Sequence, residues 1–245
     1  MNRPEAWLRP GIRYAIPNLL TAASLILGLF AIGSAGAGQL ERAAWFIVWC
    51  VLLDIVDGVV ARVLNAASEF GANFDSLADL VAFGLAPAAL ALHFLTRDTN
   101  GIPMWGVALP CALYTLLVAV RLARFNSTAT LGRGWFQGVP STACGALIAS
   151  GVILLLRHET LLRAVHWAVY MPLVLLVLGL AMVSTLAFPK PRPASNRRLN
   201  ILYLTNVMAV YVCGVLRVWP EYLFSIAVLI LLGGLTAGFL RRPPP

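Results

Sequence analysis

Four aspartates lie close together in an otherwise apolar part of the sequence, namely Asp54, Asp57, Asp75 and Asp79. Residues 54 to 79 hold five of the ten acidic residues of the chain, and the fifth is Glu69. A carboxylate inside a bilayer costs about 2.5 to 3.5 kcal/mol even on lenient insertion scales, so this density of charge needs a compensating partner. Carboxylate oxygens suit Mg²⁺ or Mn²⁺ better than zinc. The cluster therefore indicates a site for a divalent metal ion.

The spacing of these aspartates places them on single faces of two helices. The first face follows an i, i+3, i+4, i+7, i+8 pattern and consists of Asp54, Asp57, Gly58, Ala61 and Arg62. In the next apolar segment, residues spaced by four form a second stripe of Gly71, Asp75 and Asp79. A short turn between the helices would bring the four carboxylates together. The glycines would let a ligand approach the backbone, and the planar guanidinium of Arg62 offers donors for a phosphate.

The composition of the chain predicts an all-α polytopic membrane protein. Of its 245 residues, 60% are hydrophobic and 11% charged, and the mean hydropathy is +0.84. The net charge of +8 does not indicate a nucleic-acid partner, because the basic residues are scattered at the ends of apolar segments and form no basic face. The four cysteines stand singly in apolar runs, which predicts packing roles and neither a disulfide nor a zinc framework.

Eight apolar segments approach the roughly 20 residues that a membrane span needs. The predicted spans are Pro17–Gly36, Leu40–Val63, Phe70–Leu95, Met104–Arg124, Pro140–Leu156, His166–Phe188, Leu199–Leu216 and Pro220–Leu240. The segment before them, residues 1–16, carries aromatic and basic residues that are typical of an interfacial segment on the cytoplasmic side. Its prolines argue against one regular helix there.

The distribution of positive charge predicts the orientation in the membrane. With the N-terminus in the cytoplasm, 13 of the 18 basic residues fall on the inner side. Both termini and the aspartates then lie at the cytoplasmic face, in a membrane that is best interpreted as a bacterial inner membrane. The polar links 125–139 and 189–198 share that side and would contribute to the same site.

The pattern Asp54-x2-Asp57-Gly58-x2-Ala61-Arg62-x8-Gly71-x3-Asp75-x3-Asp79 resembles the signature of the CDP-alcohol phosphotransferase family. The resemblance implies that Asp54, Asp57 and Asp75 bind Mg²⁺ or Mn²⁺, and that Asp79 joins the metal site and acts as the general base. It also implies that the CDP moiety is held by Gly58, Ala61, Arg62 and Gly71. Because the family core has six spans, the chain is predicted to be one catalytic domain, with a core at 17–188 and two additional helices at 199–240.

Other segments resemble the bacterial and archaeal phosphatidylserine synthases of this family. They are Phe74–Ala88, Arg121–Asn126 and Phe136–Ala143, and Pro17, Asn18 and Thr21 match the family's PNxxT entry to the first span, where Asn18 and Thr21 would meet the nucleotide. The resemblance implies CDP-diacylglycerol and L-serine as substrates, surrounding membrane lipids and a homodimer. The cations that would bind the acceptor or a phosphate are Arg121, Arg124 and Lys190.

Two alternatives remain open at the level of the sequence. In one, the same chemistry serves another acceptor, such as glycerol 3-phosphate, inositol, inositol phosphate or choline. A cation or proton transporter would also use buried aspartates, although it needs no glycine, alanine and arginine at these spacings. Spacing alone does not distinguish a metal ligand from a base at Asp79.

Overall fold

The structure is a computed structural model that describes residues 10–66, 68–98, 103–127, 135–158, 167–189 and 197–240. Nearly all of these residues are helical. The helices are α1 (Pro10–Gly36), α2 (Leu40–Val63), α3 (Glu69–Asp79), α4 (Ala86–Asp98), α5 (Met104–Ser127), α6 (Ser141–Arg157), α7 (Trp167–Val183), α8 (Arg197–Leu216) and α9 (Pro220–Leu240). A π-helical turn, Leu80–Leu85, joins α3 to α4 without a break.

Six helices of the described chain are long and apolar enough to cross a membrane, counting α3 to α4 as one. The predicted all-α polytopic membrane fold is therefore confirmed. The remaining two, α6 and α7, are apolar but only 17 residues long. All eight predicted spans correspond to a helix, because a backbone in hydrocarbon must satisfy its own hydrogen bonds.

Two of the predicted boundaries differ from the structure by five residues or more. Helix α1 begins at Pro10, seven residues before Pro17, the predicted start of the first span. The helix continues through Pro17 without a break. A proline is well placed at the first position of a helix, where its missing N–H would have no partner. At the other boundary, α7 ends at Val183, whereas the predicted sixth span continued to Phe188.

The residues after α7 form part of a small sheet that the sequence did not predict. Strand β1 (Trp135–Gln137) pairs antiparallel with strand β2 (Ala187–Pro189), with Phe136 opposite Phe188. The sheet packs on α9, because a Cβ at Gly234 would overlap the ring of Phe188 and a Cβ at Gly238 would overlap the Ala187 carbonyl oxygen. The sheet thus joins the link before α6 to the link after α7 and packs both against α9.

The contacts between helix ends define two ends of the bundle. At one end, Arg13 at the start of α1 donates a hydrogen bond to the Asn65 carbonyl in the α2–α3 link. Arg124 near the end of α5 donates to the carbonyls of Val183 and Ser184 at the end of α7. At the opposite end, Arg157 at the end of α6 and His158 after it approach Glu221 at the start of α9. The first end therefore gathers the α2–α3 link and the sheet, as the predicted topology requires.

The core lies between the helices and is filled by large apolar side chains. Those that are fully buried include Ile47, Phe83, Leu90, Tyr114, Ile153 and Leu175. Close helix contacts depend on glycine, as is common in membranes. A Cβ at Gly28 in α1 would lie 3.2 Å from the Cα of Ala82, so α1 packs directly against the π-helical turn.

Candidate active site

The short α2–α3 link brings the two aspartate stripes face to face. Helix α2 ends in a turn in which Asn65 adopts a positive φ of 49°. Helix α3 begins after Ser68, whose hydroxyl accepts the Gly71 backbone N–H at 3.0 Å and caps the helix. The hydrogen bond from Arg13 to the Asn65 carbonyl holds this link against α1. These contacts of the α2–α3 link thus determine the position of the two stripes relative to each other.

Three of the aspartates form a compact cluster. Carboxylate oxygens of Asp54, Asp57 and Asp75 all lie within 4.8 Å of one another. Two oxygens on opposite sides of an octahedral Mg²⁺ are about 4.2 Å apart, twice the metal–oxygen distance. Among the described residues, both ion pairs involve Glu221 at the far end of the bundle, so none neutralises this cluster. The donor set fits a hard divalent cation.

Hydroxyl groups from α1 and α6 hold two of these carboxylates. Thr21 lies 3.2 Å from an oxygen of Asp57, and both side chains are buried. Thr142, in the first turn of α6, donates to Asp54 at 3.2 Å. Each hydroxyl orients one carboxylate, and Thr142 contributes in a way that the sequence analysis missed. The sequence does point to Thr142 indirectly, because this threonine lies in the Phe136–Ala143 segment that resembles the family.

Asp79 lies beside the cluster at the end of α3. Its carboxylate interacts electrostatically with Asp54, with Asp75 and with Arg121 in α5. The π-helical turn begins at the next residue, and π-helical turns are frequent at functional sites. The Tyr114 hydroxyl donates to the Phe83 carbonyl in this turn at 2.9 Å. This contact secures the turn on α5 and thereby the position of Asp79.

The cluster has an open side next to Gly58. Apart from its own helix, no heavy atom of the described residues lies within 4 Å of the position that a Cβ at Gly58 would occupy. Arg62 is exposed, and its Nε donates to the Gly58 carbonyl at 2.8 Å. At Gly71, a Cβ would lie 3.2 Å from Oδ1 of Asn18, so that glycine allows α1 and α3 to approach. Of the predicted nucleotide-binding residues, Thr21 thus contacts the cluster at Asp57, Arg62 is hydrogen-bonded to Gly58, and Asn18 lies beside Gly71. Ala61 lies on the same face of α2 as Gly58 by its spacing.

Comparison with known proteins identifies the family of this chain. The sequence profile of the family described as CDP-alcohol phosphatidyltransferase matches residues 14–188. The chain belongs to the CDP-alcohol phosphatidyltransferase family. The match includes the aspartate cluster, Asp79 and Gly58, and ends before α8 and α9. The prediction of the family from the signature is confirmed.

Three curated relatives of this CDP-alcohol phosphatidyltransferase carry the same name. A protein of Helicobacter pylori is 37% identical over 201 residues, which cover 81% of this chain and 82% of the relative, and is named CDP-diacylglycerol–serine O-phosphatidyltransferase. A Bacillus subtilis protein with the same name is 34% identical over 74% of this chain and 94% of its own length. One from Saccharomyces cerevisiae is 32% identical over 62% of this chain and 59% of its own length.

The predicted acceptor cations of the transferase have different surroundings. Arg121 is only 8% exposed, and its Nη1 donates to the Ser141 hydroxyl at 2.8 Å. Its Nε is buried and has no hydrogen-bond partner among the described residues. Arg124 is instead held by the Val183 and Ser184 carbonyls, at 2.7 and 3.1 Å. Lys190 lies outside the described residues. Of the described cations of this set, Arg121 therefore interacts with Asp79 and Asp54 and keeps its Nε–H donor without a described hydrogen-bond partner.

Proposed function

We propose that this protein transfers the phosphatidyl group of CDP-diacylglycerol to L-serine, which forms phosphatidylserine and releases CMP. The observation that carries the proposal is the cluster of Asp54, Asp57 and Asp75 beside the open backbone at Gly58. The family match supports the donor class, and the names of the relatives support serine as the acceptor.

Asp54, Asp57 and Asp75 would hold one or more divalent cations, with Mg²⁺ and Mn²⁺ as the candidates. A bound cation would neutralise charge on the diphosphate and on the departing CMP. Thr21 and Thr142 keep the carboxylates of Asp57 and Asp54 oriented toward it. Three carboxylates without an ion pair among the described residues would otherwise repel one another, which favours this assignment.

Asp79 is our candidate for the general base. The serine hydroxyl oxygen forms a bond to the phosphorus that carries diacylglycerol, and the bond from that phosphorus to the CMP oxygen breaks. The hydroxyl proton passes to the Asp79 carboxylate, and CMP departs with the electron pair of the broken bond. The place of Asp79 beside the three-aspartate cluster, next to Asp54, is compatible with this role.

Arg121 is our candidate for binding the carboxylate of serine. Its guanidinium is buried, and the Nε that lacks a described partner is a donor that a bound carboxylate would satisfy. The hydrogen bond to Ser141 orients the planar group from its other side. Glycerol 3-phosphate would also present an anion to this arginine, whereas choline would not, so the acceptor must be tested directly.

The site would face the cytoplasm, with both termini on that side of a bacterial inner membrane. The positive charge at the α2–α3 end of the bundle supports this orientation, because Arg13, Arg62, Arg124 and Arg197 all lie there. A homodimer remains a prediction from the family resemblance. It can be measured as the mass of the purified protein in nanodiscs.

The experiment that tests the proposal is an acceptor panel. Purified protein with CDP-diacylglycerol and Mg²⁺ or Mn²⁺ is offered serine, glycerol 3-phosphate, inositol, inositol phosphate or choline, and CMP release is measured. We expect release with serine and a phosphatidylserine product, and no release after chelation of the metal. Release with another acceptor alone would reject serine while leaving the donor chemistry in place. A chain that moves cations across vesicles and releases no CMP would be a transporter.

A further inference from the structure

Helix α9 packs beside α6, and the contact begins at the end of the bundle that is remote from the aspartates. There, Glu221 in the first turn of α9 approaches Arg157, the last residue of α6, and the following His158. Phe224 lies three residues further along α9, and a Cβ at Gly151 in α6 would lie 3.3 Å from its ring. The two helices therefore run antiparallel, so the last turns of α9 lie at the end of the bundle at which α6 begins.

The last turns of α9 hold strand β2 in close contact. Phe188 is buried, and its ring overlaps the position that a Cβ at Gly234 would take. The carbonyl oxygen of Ala187 likewise overlaps the position of a Cβ at Gly238. These two glycines are four residues apart and share one face of α9. A Cβ at the neighbouring Gly233 would meet no heavy atom of the described residues within 4 Å apart from its own helix, so the contact is confined to that face.

Hydrogen bonds continue from strand β2 to the start of α6. Strand β2 pairs antiparallel with β1, and the N–H of Gly138, directly after β1, donates to the Leu186 carbonyl at 2.8 Å. The N–H of Val139 donates to the Ala181 carbonyl near the end of α7 at 3.2 Å. Helix α6 begins two residues after Val139, at Ser141. The backbone that enters α6 is therefore fixed to the segment that α9 holds.

The first two residues of α6 both contact the candidate active site. Ser141 accepts a hydrogen bond from Arg121 at 2.8 Å, and Thr142 donates to Asp54 at 3.2 Å. Pro140 precedes the helix, and no side-chain hydrogen bond caps its first turn. The position of this turn relative to the site thus depends on the sheet before it and on the packing of α6 against its neighbours.

We propose that the contact between Gly234 and Phe188 positions the first turn of α6 at the candidate active site. The ring of Phe188 fixes β2 on α9, β2 fixes β1, and β1 leads into α6. The inference rests on the proposed function for the roles of Asp54 and Arg121. It gives α9, which lies outside the part of the chain that the family profile matches, a role in metal and serine binding.

The test compares Gly234→Ala with Gly233→Ala, which add the same methyl group at adjacent positions of α9. The Kd for Mn²⁺ is measured by electron paramagnetic resonance on the full chain in nanodiscs, without CDP-diacylglycerol and without serine. We expect Gly234→Ala to raise this Kd about threefold or more, because the hydrogen bond from Thr142 that orients Asp54 is weakened. Gly233→Ala should match the wild type, since the space beside Gly233 is open.

The KM for serine is a second readout, which a general loss of stability would not move selectively. Because Ser141 shifts together with Thr142, Gly234→Ala should raise the KM for serine about threefold or more. The affinity for CDP at saturating Mn²⁺ should change less than about twofold, because Gly58 and its neighbours belong to α1, α2 and α3 and are remote from the sheet. An equal loss for serine and CDP would contradict positioning through α6.

Phe188→Ala is the second variant, because it removes the ring without adding an atom. It should also raise the Kd for Mn²⁺ about threefold or more, and it keeps the test decisive if Gly234→Ala does not fold. The double variant Gly234→Ala/Phe188→Ala should stay within about twofold of Phe188→Ala, because residues that act through one contact are not additive.

Two further results would overturn the role of this contact. One is an unchanged Kd for Mn²⁺ in Gly234→Ala and in Phe188→Ala, even where Tm falls, because α9 would then stabilise the chain without positioning the site. The other is a multiplication of the two losses in the double variant, which would show that the residues act separately. Because the Mn²⁺ assay contains neither substrate, a wild-type protein that binds Mn²⁺ but does not transfer to serine would reject the proposed function alone.

Discussion

Tyr211 in α8 donates a hydrogen bond of 2.7 Å to the carbonyl of Leu52, which precedes Asp54 by two residues in α2. A helix outside the family core thus contacts the backbone that carries the first metal-binding candidate. We expect Tyr211→Phe to remove about 1 kcal/mol from the contact, equivalent to about fivefold in an equilibrium constant. The metal concentration for half-maximal CMP release should rise up to that factor, while the KM for serine stays unchanged.

The control for this variant is Tyr203→Phe, because Tyr203 is an exposed tyrosine of the same helix. It should leave the metal requirement unchanged. If Tyr211→Phe also leaves it unchanged, the contact stabilises α8 without positioning the aspartates. A drop in Tm without a change in metal requirement would lead to the same conclusion.

Asp79→Asn should separate the base from the metal ligands. If Asp79 accepts the serine proton, its loss should lower kcat by about 10² to 10⁴. Binding of CDP-diacylglycerol should persist because the three-carboxylate cluster stays intact. Asp57→Asn should instead raise the metal concentration needed for activity. Glu69→Gln removes one exposed charge from α3, the helix that carries Asp79, and is the matched control for Asp79→Asn. Near wild-type turnover of Asp79→Asn would reject its role as the base.

Gly58→Leu should abolish nucleotide binding without loss of stability. The space beside Gly58 is open, so an added Cβ meets no atom of the described residues outside its own helix. We expect affinity for CDP to fall more than tenfold, measured by calorimetry, with Tm unchanged or raised by the better helix propensity of leucine. Gly33 in α1 is equally open, and Gly33→Leu should leave CDP binding intact. Retained CDP affinity in Gly58→Leu would place the nucleotide elsewhere.

Arg121→Lys should raise the KM for serine about tenfold or more. Lysine keeps the charge but loses the planar donors that would bind a carboxylate and the Ser141 hydroxyl together. The KM for CDP-diacylglycerol should change less than twofold. Arg157→Lys, at the opposite end of the bundle, is the control for a general effect of the exchange. An equal rise in both KM values would indicate that Arg121 supports the whole site and does not select the acceptor.

The sequence by itself determined the family, the membrane fold and the two aspartate stripes. These features depend on local spacing, because apolar length defines a span and three- or four-residue intervals define a helix face. The prediction that four carboxylates share one region followed from a short link between two helices. The sequence also identified Thr21 and Asn18 as neighbours of that region, but only through the resemblance of the PNxxT entry.

Only the tertiary structure decided which other residues reach the cluster. Thr142 contacts Asp54 across 88 positions and Tyr211 contacts Leu52 across 159, so neither pair follows from periodicity within one helix. The same holds for the sheet between Trp135–Gln137 and Ala187–Pro189, whose strands are too short to show an alternating pattern. In a membrane both a buried face and a lipid-facing one are apolar, so only the packing of the helices reveals which apolar residues form the core.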